Sequence, residues 1–122
     1  MRAVVLLASI VLVLSGCIGD ARPEGCDSPQ MTLDVTLTAT DLDPATIDVC
    51  RDQDVTLRIT PEADGVIHIH GYDDEIPATE VTAGEEIDVA FRAVRAGQYP
   101  IEFHPADDAT GISVGIFTVH EP

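Results

Sequence analysis

Between Met31 and Thr40 apolar and polar residues alternate without a break. Met31, Leu33, Val35, Leu37 and Ala39 stand against Thr32, Asp34, Thr36, Thr38 and Thr40. Successive side chains of a strand point to opposite faces, so this period of two predicts a half-buried β-strand with a threonine-rich outer face. The pattern returns in short pieces: Ile47 and Val49; Val55, Leu57 and Ile59; Val66 to His70; Ile87, Val89 and Phe91; Tyr99, Ile101 and Phe103; and Ser113 to Val119. Asp41-Leu42-Asp43-Pro44 and Pro61-Glu62-Ala63-Asp64-Gly65 read as turns between them. No stretch carries a helical period. Some seven short strands broken by frequent turns predict an all-β sandwich. A single domain of this size builds a marginal core that a disulfide would support.

The first residues carry an address rather than a fold. Arg2 is followed by an apolar run over residues 3–14, interrupted only by Ser9, and by Leu14-Ser15-Gly16-Cys17. A positive start, an apolar centre and small residues before a cut describe a secretory signal. The run is too short for a spanning helix, which needs about 20 residues. The competing reading is an ordinary signal peptide, but the Leu-Ser-Gly-Cys ending resembles a bacterial lipoprotein signal, with Cys17 as the lipidated residue. The expected organisation is a signal peptide over residues 1–16, a lipidated Cys17 with a polar tether over 17–30, and one domain over 31–122. That places the domain outside the cytoplasm, tied to a membrane by its lipid. The other two cysteines, Cys26 and Cys50, form an even pair in an oxidising space and are expected to join as a disulfide. The competing reading is a pair of thiolate metal ligands, although neither has a histidine near it in sequence. A disulfide here would contribute roughly 3–4 kcal/mol in the chain-entropy model.

Charge narrows the partners. The chain has six arginines, no lysine, and 22 acidic residues, for a formal net charge of −16. Such a surface repels nucleic acid and anionic lipid, which excludes both as binding partners. It attracts cations and favours a soluble monomer.

Against that background the histidines stand out. His68 and His70 are separated by one residue in a predicted strand, so their rings share a face while Ile67 and Ile69 share the other. His104 ends a later strand, in Phe103-His104-Pro105-Ala106-Asp107-Asp108. If the two strand ends meet, His68, His70 and His104 converge at one pole. Imidazoles suit copper, zinc, iron or nickel, and Asp107 or Asp108 can complete such a site. The same His-x-His pair also fits a polar surface row. His120, two residues from the end, reads as solvated, as do Asp73-Asp74-Glu75 and Glu85-Glu86. There is no Gly-x-Ser-x-Gly elbow and no phosphate-binding glycine loop, so catalysis has little support.

His68-Ile69-His70-Gly71-Tyr72-Asp73, then Val81-Thr82-Ala83-Gly84-Glu85, then Gly97-Gln98-Tyr99-Pro100-Ile101-Glu102-Phe103-His104, resemble the cupredoxin-like proteins. The order is similar to that of small exported members with a His-x-His-Gly-Tyr-Asp strand, including the cupredoxin-like domain linked to bacterial iron uptake. The resemblance covers about Met31 to Val119. It implies a Greek-key β-sandwich with histidine-bearing loops at one end. Blue-copper members place a first histidine near His68 and a cysteine thiolate where Phe103 stands here. No cysteine or methionine occurs between Phe103 and Val114. The expectation is therefore a lipid-anchored, non-enzymatic module. It binds a transition metal, copper first, through His68, His70 and His104, for capture or handover and without blue-copper electron transfer. The alternative is a metal-free sandwich that binds another envelope protein, such as a permease.

Overall fold

The computed structural model describes residues 23–108 and 110–122. The lipobox and Cys17 lie outside the described residues. The described chain forms nine strands and no helix: β1 (Gln30–Leu37), β2 (Leu42–Asp43), β3 (Thr46–Cys50), β4 (Asp54–Pro61), β5 (Gly65–Ile69), β6 (Thr79–Val81), β7 (Ile87–Arg92), β8 (Gly97–Pro105) and β9 (Ile112–His120). They make two sheets, ordered β2-β1-β4-β7 and β3-β9-β8-β5-β6. The β1/β4 and β3/β9 pairs are parallel and the rest antiparallel. Parallel neighbours cannot be joined by a tight hairpin. The chain instead passes repeatedly from one sheet to the other, as a Greek-key sandwich requires.

Period two decides which side chains meet between the sheets. In β4, Val55, Leu57 and Ile59 are buried while Thr56 and Arg58 are not. In β8, buried Ile101 and Phe103 alternate with the half-buried Glu102 and His104. Full burial of a Val, Leu, Ile or Phe side chain contributes about 1.5–3 kcal/mol, and a one-residue slip would turn the whole row outward. Tyr72, Phe91, Tyr99 and Phe117 fill one part of the core, with Tyr72 edge-on to the other three rings.

Tyr72 also fixes the loop after β5. Its hydroxyl donates to the Arg95 carbonyl at 2.7 Å and accepts from the Arg95 amide at 2.9 Å. Burial pushes the Tyr72 hydroxyl above its ordinary pKa, so it stays protonated as the donor this requires. The Arg95 guanidinium lies 4.8 Å from the Tyr72 ring centroid and grips both oxygens of Glu75, at 2.8 and 3.1 Å. It also donates to the Gly71 carbonyl. Gly71 itself turns at φ +87°, and a Cβ there would strike the Tyr99 ring at 2.8 Å. Only glycine meets both conditions.

At the other end, Cys26 and Cys50 form a disulfide, the mark of an oxidising compartment. It holds the segment before β1 against the end of β3. The buried Gln53 side chain reinforces it, accepting from the Cys50 amide and donating to the Gly25 and Ser28 carbonyls, each at 2.8 Å. The later part of the expected tether is thus packed against the domain.

Several local expectations change. Leu42–Asp43, read as a turn, pairs with β1 as a two-residue strand. β1 stops at Leu37 although the alternation continues to Thr40. There the Thr38 amide donates to the Asp41 carbonyl, and the Asp41 amide donates to the Thr38 hydroxyl, both at 2.9 Å. These local bonds replace the ladder. His120 is half-buried rather than solvated, with its Nε2 2.8 Å from Asp48 Oδ1 on the neighbouring strand. Glu75, read as a solvated charge, is instead held by Arg95.

Candidate metal centre

β5 and β8 run antiparallel with His68 opposite Glu102 and Val66 opposite His104. The faces follow from this register. Ile67, Ile69, Ile101 and Phe103 point into the core. His68, Glu102 and His104 stand on the outer face, and His70 follows directly after β5. His68 and His104 therefore meet on the face where two central strands pair, with His70 in the turn directly after β5, rather than all three in loops at one pole. The register sets this, because the rings belong to side-chain rows running along the strands.

All three imidazoles gather around one oxygen. Glu102 Oε2 lies 2.8 Å from His70 Nε2, 3.1 Å from His68 Nε2 and 3.5 Å from His104 Nε2. The Nε2 atoms of His68 and His104 are 3.3 Å apart. The ligating atoms of His68, His70 and Glu102 all fall within 4.8 Å of one another. Side-chain exposure is 16% for His68, 49% for His70, 36% for His104 and 29% for Glu102. The cluster is thus backed by the sheet and open to solvent.

His68 Nε2, His104 Nε2 and Glu102 Oε2 form a nearly regular triangle. Its centre is about 1.9 Å from each corner, close to the ~2.0–2.2 Å at which imidazole and carboxylate donors hold Zn²⁺. Imidazole nitrogen and carboxylate oxygen suit borderline divalent ions. His68, His104 and Glu102 therefore fit a transition metal, with His70 Nε2 2.8 Å from the shared carboxylate oxygen.

Electrostatics favours the ligating form of the carboxylate. The hydrogen bond with His70 holds Glu102 below the usual carboxylate range; His68 acts in the same direction, and partial burial opposes them. Glu102 is ionised at neutral pH, as a metal ligand must be. Behind His68, its other ring nitrogen, Nδ1, lies 3.6 Å from Asp73 Oδ1. Carboxylates commonly stand there behind metal-ligating histidines.

Asp107 and Asp108, expected to complete the site, are both exposed. Asp108 accepts a bond from the Thr110 amide at 2.9 Å. Glu102 was the residue that sequence reasoning missed. Its signal was present, since Glu102-Phe103-His104 has the same period of two as His68-Ile69-His70.

The His104 ring is placed by what is missing beside it. A Cβ at Gly111 would fall 2.4 Å from His104 Cε1 and 2.7 Å from Nε2. Real atoms do not approach so closely, so Gly111→Ala must push the ring aside. For a metal held at this cluster, the expected result is an affinity lowered by about 10–100-fold, as when a residue orienting a ligand is lost. Competition titration measures it, and an unchanged affinity would show that the ring has other room.

No protein-family model and no curated protein matches the sequence. Solved structures do match. One multicopper oxidase has a TM-score of 0.59 at 15% identity, over 75% of this chain and 42% of its own. The blue copper oxidase from Nitrosomonas europaea has a TM-score of 0.57 at 17% identity, over 75% of this chain and 39% of its own. Auracyanin B has a TM-score of 0.52 at 17% identity, over 73% of this chain and 88% of its own. The fold is cupredoxin-like. This cupredoxin-like domain spans less than half of either oxidase but matches most of auracyanin B. It has no cysteine after Cys50, and Phe103 is buried in the core between Glu102 and His104.

Proposed function

We propose that this protein is a lipid-anchored, extracytoplasmic cupredoxin-like module that binds copper through His68, His70 and His104, for metal capture or handover. The observation that carries the reading is the convergence of three imidazole Nε2 atoms on one carboxylate oxygen, all within 3.5 Å. The lipobox supports the anchor, and the Cys26–Cys50 disulfide fits an oxidising space.

Each part of the chain contributes in its own way. His68 and His104 present Nε2 atoms 3.3 Å apart from adjacent strands, whose pairing brings the two side chains to one face. His70, the most exposed of the three, faces incoming or departing metal. The acidic surface raises the local cation concentration. A half-exposed site suits exchange with a partner better than permanent storage. Bound copper would supply a Lewis-acid or redox centre, but the reading needs neither for binding and release. Without a thiolate, the intense blue absorption of a His₂Cys site is not expected.

The test is to load the purified protein with Cu(II) and record its metal content and spectra. The expected result is about one copper per chain with only weak visible absorption. Protein that takes up no copper, or that turns intensely blue, would contradict the reading.

A further inference from the structure

We infer that Glu102 is itself a metal ligand, and that it makes the site selective for Cu(II) over Cu(I). The inference rests on the histidine site proposed above and adds a specificity to it.

Position is the first ground. Among the contacts of the cluster, Glu102 Oε2 is the atom shared by all three imidazoles, at 2.8, 3.1 and 3.5 Å. With the His68 and His104 nitrogens it completes the triangle whose centre fits an ion. Its backbone is paired on both sides, to His68 on β5 and to Ser113 on β9. The carboxylate is therefore carried by a central strand, not a mobile loop.

The neighbouring acids are placed differently. Asp73 lies at Nδ1 of His68, behind the ring and away from the Nε2 atoms that converge. Asp108 is engaged by the Thr110 amide.

Donor chemistry is the second ground. Cu(I) is selected by soft thiolate and thioether sulfur; imidazole is a borderline donor that takes either copper ion, whereas carboxylate oxygen suits harder, more highly charged ions. Among the described residues the sulfurs of Cys26 and Cys50 are bonded to each other. The described methionine, Met31, lies in β1 of the opposite sheet and contacts the region of Gly25. The site therefore combines nitrogen donors with an anionic oxygen and has no sulfur. Exchanging the oxygen anion for a neutral amide removes a preference for the doubly charged ion, while the imidazoles remain to hold Cu(I).

The experiment compares wild type with Glu102→Gln, and with Glu85→Gln as a carboxylate lost from an exposed turn. Cu(II) and Cu(I) affinities are measured separately with competing chelators, the latter without oxygen. Glu102→Gln should lower Cu(II) affinity by at least about 10–100-fold, since loss of even an orienting partner costs that much. Cu(I) affinity should stay within the scatter of the measurement, and Glu85→Gln should change neither. The electron paramagnetic resonance hyperfine splitting of bound Cu(II) should also shift in Glu102→Gln. In wild type, infrared difference spectra on adding Cu(II) should show a carboxylate band moving, a readout that needs no variant. Wild-type binding of Cu(II) with equal affinity in Glu102→Gln, or equal losses for both ions, would overturn the role of Glu102 and leave the histidine site standing. Wild type that binds neither ion would overturn the histidine site and this inference together.

Discussion

Replacing Cys26 and Cys50 together by alanine should cost about 3–4 kcal/mol of stability. The bond closes a loop between residues 24 apart in sequence, and the unfolded chain regains that freedom when it is lost. Cys50 is fully buried at the end of β3, so the variant also loses packing. Gln53 remains to hold the Gly25 and Ser28 carbonyls, which limits the damage to the arm. For a domain of this size the loss corresponds to a thermal midpoint lower by about 15–25 °C. Thermal unfolding followed by circular dichroism measures it, with reduced wild type as a second route to the same state. A midpoint lowered by less than about 5 °C would mean that packing and Gln53 hold the arm without the bond. Such a small domain has little stability to spare, so the disulfide decides whether it stays folded when warm.

The second large effect is chemical rather than structural. His68→Ala/His70→Ala/His104→Ala should lower copper affinity by more than about 100-fold, because loss of an orienting partner alone costs 10–100-fold. The fold should survive. The three rings stand on the outer face of the β5/β8 pair, and the core beneath is built by Ile67, Ile69, Ile101 and Phe103. Removing them also leaves Glu102 without the hydrogen bonds that hold its pKa down. Its lowered pKa means that this pairing contributes above the ordinary carboxylate pKa and is lost as pH falls through the lowered value. Near neutral pH the variant therefore forfeits a contribution that wild type retains. That contribution is a solvent-exposed one and small beside the loss of the metal site.

Much of the fold was legible in the sequence because burial imposes a period of two on most strands that pack against the core, as in β4, although β9 buries Phe117, Thr118 and Val119 in a row. The seven longer strands and the sharing of one face by His68 and His70 follow from that period, and the disulfide follows from an even pair of cysteines in an oxidising space. Two features were hidden because nothing periodic marks them. Leu42–Asp43 and Thr79–Val81 are two and three residues long, too short for alternation to show. The end of β1 was overrun because Thr38 satisfies its backbone locally although the alternation goes on. The site was half legible. Spacing along one strand puts two rings on a face, but which residues lie opposite depends on the register between β5 and β8, which no local pattern fixes. That register supplied Glu102 and moved the cluster from the loops to the sheet. Asp73 behind His68 was hidden for a related reason, since the loop that carries it is held by bonds joining Tyr72 and Gly71 to Arg95, more than twenty residues further along the chain.

The most direct measurement is calorimetric titration of the purified protein with Cu(II), beside the triple histidine variant and at one pH. One tight equivalent in wild type that disappears in the variant, with the thermal midpoint of the variant preserved, is the predicted result. Tight binding of equal strength in both proteins, or none in wild type, would show that the histidine cluster on the β5/β8 face is not a metal site.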